Sequence, residues 1–135
     1  MKKLIFGLSL LVFSHALQAQ EDTSVKAQVD IAVGMIKSGK NLPAAQRLLE
    51  ILNRNAVPTA RPRIKYLLGL ALLEMDLNQT AAFQFVDVVR SGDVNWTKPA
   101  LEKLLIVTDK LGDETLLNFA LQRIEIDQIP AANRE

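Results

Sequence analysis

Residues 64–92 read IKYLLGLALLEMDLNQTAAFQFVDVVRSG, and the reading of this stretch decides the fold. Apolar residues recur at helical spacing on both sides of a polar break at Asp76–Asn78, and Gly92 follows the second run where a helix stop is expected. The pattern predicts two helices joined by a tight turn, a single helical hairpin. At about 100° per residue, Ile64, Leu67, Leu68, Ala71 and Met75 fall on one face of the first helix, and Tyr66, Leu70 and Leu73 on the opposite one. A helix in a simple two-layer hairpin needs only one apolar face. The second face implies either neighbouring helices on that side or a bound partner.

Upstream, Val25, Val29, Ala32, Val33 and Ile36 form one stripe of a first helix, capped by Thr23 or Ser24 and running to about Lys37. A turn at Ser38–Asn41 leads to a second helix, with Pro43 in its first turn, Ala45, Leu48, Leu49 and Leu52 inward, and an end near Asn53. Pro58 and Pro62 forbid continuous helix across residues 55–62, the longest connection. Downstream, Thr97 and Pro99 start a fifth helix whose inward stripe is Leu101, Leu104, Leu105, Thr108 and Leu111. Gly112 ends it, and Asp113 caps a sixth carrying Leu117, Ala120, Leu121 and Ile124. No segment after the N-terminal stretch alternates with the period of a strand. The expected fold is therefore all-α, with six helices in three antiparallel hairpins.

The pairs also echo one another. PAAQRLLEIL from Pro43 and TAAFQFVDVV from Thr80 match in pattern at an offset of 37 residues, with Ala44-Ala45 against Ala81-Ala82 and Glu50 against Asp87. Two-helix units at this period signal a helical solenoid. The central unit resembles the tetratricopeptide repeat (TPR), whose pattern is W-x2-L-G-x2-Y, then A-x3-F, then P. Leu68-Gly69 stands for the L-G pair, Leu72 takes the tyrosine place, and Ala81 and Phe85 match A-x3-F. Lys65 and Asp93 occupy the tryptophan and proline places, so those two anchors are missing. The first and third units are degenerate copies. The resemblance implies that the hairpins stack as a short right-handed solenoid. It also implies that Gly69 faces Ala81, letting the paired helices approach, with Phe85 filling the gap beside them.

The N-terminal stretch stands apart. Lys2 and Lys3, an apolar run from Leu4 to Phe13, and small residues at Ser14, Ala16 and Ala19 reproduce the layout of a secretory signal peptide, too short to span a bilayer. Cleavage after Ala19 divides the chain into a signal at 1–19 and a repeat domain at 20–135, and cleavage after Ala16 is the alternative. The expected destination is the bacterial periplasm. Processing removes the only histidine, His15, and leaves 14 basic against 15 acidic side chains, with no cysteine anywhere. Nothing there resembles a nucleic-acid footprint, and no thiolate or imidazole remains for nucleophilic catalysis or a soft metal site. No catalytic residue, metal ligand or cofactor is expected.

What remains is binding. In TPR proteins the first helix of each pair lines a concave groove that holds peptides or partner helices. The resemblance thus offers Arg63, Tyr66, Leu70, Leu73 and Glu74 as groove residues, although Tyr66, Leu70 and Leu73 also suit burial against neighbouring pairs. The basic run Arg61, Arg63 and Lys65 is either a solvated face or a site for an acidic tail. Asp109, Asp113 and Glu114 read as helix-capping residues rather than a hard-cation site. Phe119 and Ile126 project away from the sixth helix's inward stripe, and Ile129 continues the apolar character, so Phe119 and Ile126 are candidate contacts for a protein partner or a second copy. The expected function is a non-enzymatic exported scaffold for protein–protein interaction, acting alone or as the N-terminal part or a subunit of a larger envelope assembly. The alternatives are a chaperone-like holder of exported chains and, further off, a small carboxylate-dependent hydrolase. Mass spectrometry of protein from the exported fraction should find Gln20 as the first residue; a soluble cytosolic product retaining Met1 to Ala19 would contradict both cleavage and export.

Overall fold

The computed structural model describes residues 23–54 and 58–128. The signal segment, the tail beyond residue 128 and Ile129 lie outside the described residues. Within them all regular structure is helical and no strand occurs. Six helices pack against each other: α1 (residues 23–37), α2 (Asn41–Asn53), α3 (Arg61–Glu74), α4 (Asn78–Ser91), α5 (Thr97–Leu111) and α6 (Glu114–Gln128). A 3-10 turn at Pro58–Ala60 precedes α3. From α2 onward the main contacts join each helix to the next in sequence.

The expected boundaries hold with local corrections. α1 is already helical at Thr23 and Ser24, so neither is the residue that precedes the helix. α3 begins three residues before Ile64, because Pro62 sits in the first turn, where a missing N–H costs nothing. Thr97 does not cap α5: it is the first helical residue and its hydroxyl is buried without a partner. Asp93 does the local work instead, its carboxylate accepting the N–H groups of Asn95 and Trp96 at 2.9 and 3.1 Å. Asp113 caps α6 as expected, accepting the Leu116 N–H at 2.9 Å.

The same turn recurs three times. Gly39, Asp76 and Gly112 all have left-handed backbones, with φ of 75°, 58° and 62°, at spacings of 37 and 36 residues. After each, the next N–H reaches back to the carbonyl five residues earlier: Lys40 to Met35 at 2.9 Å, Leu77 to Leu72 at 3.0 Å and Asp113 to Thr108 at 3.4 Å. The next helix then opens alike, with Ala44, Ala81 and Leu117 donating to the carbonyls of Lys40, Leu77 and Asp113. Aspartate tolerates the left-handed region better than most residues, which is why the middle turn works without glycine.

Both apolar faces of α3 are used. Ile64, Leu68 and Ala71 are buried in the single hydrophobic core, which also takes Leu67 and Leu73, while Tyr66, Leu70 and Met75 pack at its edge. Gly69 is buried too, and the atoms nearest to where its side chain would begin belong to Phe85. A Cβ at Gly69 would lie 2.6 Å from Cε1 and 2.8 Å from Cζ of Phe85, so the ring sits directly on the glycine backbone. Phe85 and Ala81 are fully buried, and Leu68 nearly so. An aromatic ring in this position buries far more apolar area than a methyl group would.

The sixth helix is turned relative to expectation. Leu116, Phe119, Ala120 and Ile124 face the core, and Leu117 and Leu121, expected inward, are exposed. Phe119 is half-buried with the Arg90 guanidinium 5.8 Å from its ring centroid, so it is not a free contact residue, whereas Ile126 remains exposed. Burying one aromatic ring under a cation in place of leucine side chains accounts for the rotation.

Gly69→Ala alone should destabilise the chain by about 1–3 kcal/mol through overpacking. In the register 37 residues earlier the corresponding pair is Ala32 and Leu48, both fully buried. Gly69→Ala with Phe85→Leu copies that pair, and urea melts should show the double variant at least about 0.5 kcal/mol less destabilised than the sum of the singles. Strict additivity would mean the ring does not rest on Gly69.

Candidate functional site

The five groove candidates on α3 meet different fates. Leu73 is in the core, and Leu70 is half-buried at its edge. Arg63 reaches α1 and pairs with Asp30 at 3.1 Å, both side chains partly exposed. Glu74 is exposed at the end of α3 and makes no ion pair among the described residues. Tyr66 is held between rings: its centroid is 5.9 Å from Phe85, tilted by 57°, and 5.2 Å from Trp96, tilted by 38°. The Asp93 turn described above is what brings Trp96 there. No local pattern marks Trp96 as a partner of Tyr66, since the contact spans α3 and the link after α4.

The basic run does not form a patch. Arg61 donates to the carbonyl of Leu52 in α2 at 3.5 Å, Arg63 pairs with Asp30 in α1, and Lys65 pairs with Asp87 in α4. Three cations at alternate positions therefore tie one helix start to three neighbours. Pairing offsets their unfavourable placement at the positive end of the helix dipole. Asp30 is held below the ordinary carboxylate range by its hydrogen bond from Lys26 and then by that from Arg63.

Tyr66 shifts the other way. Burial, and behind it the negative charge of Glu102 on α5, push its hydroxyl above the ordinary value of 10.0. The ring thus stands at the edge of the core with its ionisation opposed from across the fold. On the same side the surface offers Leu70 and Glu74 on α3, and Glu102 and the exposed Ile106 on α5. Such a surface fits a partner with apolar and basic groups.

Two grooves lie between other pairs of helices. One lies between α1 and the start of α3, lined by Val25, Val29, Ala60 and Ile64 with Lys26 and Arg63 at its rim. The other lies between α5 and α6, lined by Leu105, Thr108, Gly112 and Leu117. Asp109, Asp113 and Glu114 border the second, and no cluster of three or more His, Cys, Asp or Glu able to hold a metal ion occurs among the described residues. No helix among them is long and apolar enough to cross a membrane. Compared with protein-family models, curated proteins and solved structures, the chain matches none.

Tyr66 is the only tyrosine, so its ionisation is directly visible by absorbance. Its midpoint should lie above 10.0, and Glu102→Gln should lower it. Because the folded value is the raised one, the stability this implies is fully present below pH 10 and is lost as the pH rises through the folded midpoint. The extra alkaline destabilisation should vanish in Tyr66→Phe; a midpoint unchanged on unfolding would refute the burial of the hydroxyl.

Proposed function

We propose that this chain is an exported, non-enzymatic scaffold of the TPR-like kind, three helical pairs stacked in line, that holds a protein partner. The observation that carries the reading is the threefold recurrence of one turn, with left-handed residues at 39, 76 and 112 and the same reaching-back hydrogen bond after each. A repeat written into backbone conformation supports a stack whose units are alike in build even where their side chains have diverged. The contacts between consecutive helices agree with it. The layout of residues 1–19 supports export, and the composition after that point supports binding over catalysis.

Of the proposed groove residues, Tyr66, Leu70 and Glu74 keep accessible surface, and Arg63 keeps part of its own beside Asp30. Glu74, like Glu102 on α5, makes no ion pair among the described residues, so a partner with a basic residue set among apolar ones suits it. Capture from the envelope fraction with the purified chain as bait should return one dominant partner, several-fold depleted with Glu74→Lys. Recovery of many unrelated chains would favour the chaperone-like holder, and recovery equal to bare resin would remove the binding role.

A further inference from the structure

The three matching turns set a register through the described chain: a residue of α1 corresponds to the one 37 later in α3, and a residue of α3 to the one 36 later in α5. In that register Ile64, Leu68 and Ala71 of α3 stand with Ala100, Leu104 and Val107 of α5, and none of the six is more than 1% exposed. The corresponding residues of α1 are Ala27, Ile31 and Gly34. They share one face, and all are exposed, Ile31 by 49%. α3 and α5 each have a preceding helix, α2 or α4, packed against them. No described helix precedes α1.

The opposite end has the matching deficit. α4 packs against both α3 and α5, whereas α6 makes its one substantial contact with α5. Its uncovered side carries Leu117 and Leu121, one turn apart and 36% and 45% exposed. The α5–α6 groove runs alongside. On the α1 face, Gly34 has nothing within 4 Å of where a Cβ would point, leaving room beside Ile31 for a leucine from another helix.

We propose that α1 of a second copy of this chain seats on the α5–α6 groove of the first, its Ala27–Ile31–Gly34 face against Leu117 and Leu121, so that the helical stack continues from copy to copy. This rests on the in-line stacking proposed above and names one partner for it. Charge supports the choice of occupant. Lys110, near the end of α5, pairs with Asp76 in the turn between α3 and α4 at 3.7 Å. In the register Lys110 corresponds to Lys37 at the end of α1, and Asp76 corresponds to Gly112, beside Asp113 and Glu114. A second copy docked this way brings Lys37 to Asp113 as Lys110 is brought to Asp76. Lys37 makes no ion pair among the described residues, so its charge is available. Asp30, also on the α1 side, is already neutralised by Lys26 and Arg63.

The two faces differ, so the contact is heterologous and leaves a free face at each end: copies form open chains or a ring rather than stopping at a symmetric dimer. One helix face is a small interface, so assembly should be weak and concentration-dependent.

Sedimentation of the purified full chain, in the form that accumulates in the expressing cell, tests this. The average mass should rise through the micromolar range, and added salt should lower it. Ile31→Asp and Leu121→Asp, each blocking one face, should sediment as monomers with unchanged circular dichroism. Their equimolar mixture, with one intact face of each kind, should form one-to-one dimers and nothing larger. Lys37→Glu should shift assembly to several-fold higher concentration. A wild type that stays monomeric throughout overturns the inference and leaves the partner-binding role standing. Dimers that persist in either single variant overturn it as well. If Ile31→Asp unfolds the chain, the α1 face is internal, and the stacking beneath the inference falls with it; Leu121→Asp and Lys37→Glu still report on assembly separately.

Discussion

The ring of Phe85 lies on the backbone of Gly69, and the placement of the central helices depends on that contact. With any side chain at position 69 the ring would be displaced, because the first added carbon would fall 2.6 Å from it. The ring's other neighbours extend the effect. Tyr66 packs against Phe85, Trp96 packs against Tyr66, and Trp96 sits at the start of α5, held by the Asp93 turn. One missing Cβ is thus linked through three aromatic side chains to the position of the next helix.

Electrostatics adds direction to that packing. The three cations at the start of α3 would destabilise an isolated helix, where they meet the positive end of the dipole. In the fold each goes to a different neighbour, at Leu52, Asp30 and Asp87. They are partly exposed, so each contributes modestly, and their main effect is on orientation: α3 turned about its axis would lose all three. This is why the run reads as a patch along the sequence and disappears as one in space.

The units are not equally tight. Gly69 with Phe85 and Ala32 with Leu48 pair a small residue with a larger one, but in the third unit the same register holds Leu105. Leucine there prevents the close approach that glycine permits, and from α2 onward the α5–α6 contact is the least extensive between consecutive helices. A looser last pair leaves the open groove beside Leu117 and allows α6 to rotate until Phe119, rather than Leu117 and Leu121, reaches the core.

The sequence by itself determined that the chain is helical and where the helices break, because apolar periodicity, proline, glycine and capping aspartate act over a few neighbouring residues. It also showed that α3 has two apolar faces, since that follows from spacing within one helix. It did not determine what meets those faces. That the Phe85 ring lies directly on Gly69, that Trp96 stacks on Tyr66 and that Phe119 turns inward under Arg90 are choices among competing partners distant in sequence. Each is settled by which side chain buries the most area in the space left by the others. That space exists only once the helices are assembled, so the groove residues could be nominated from their spacing, but only the tertiary structure decided which of them keep a surface to offer.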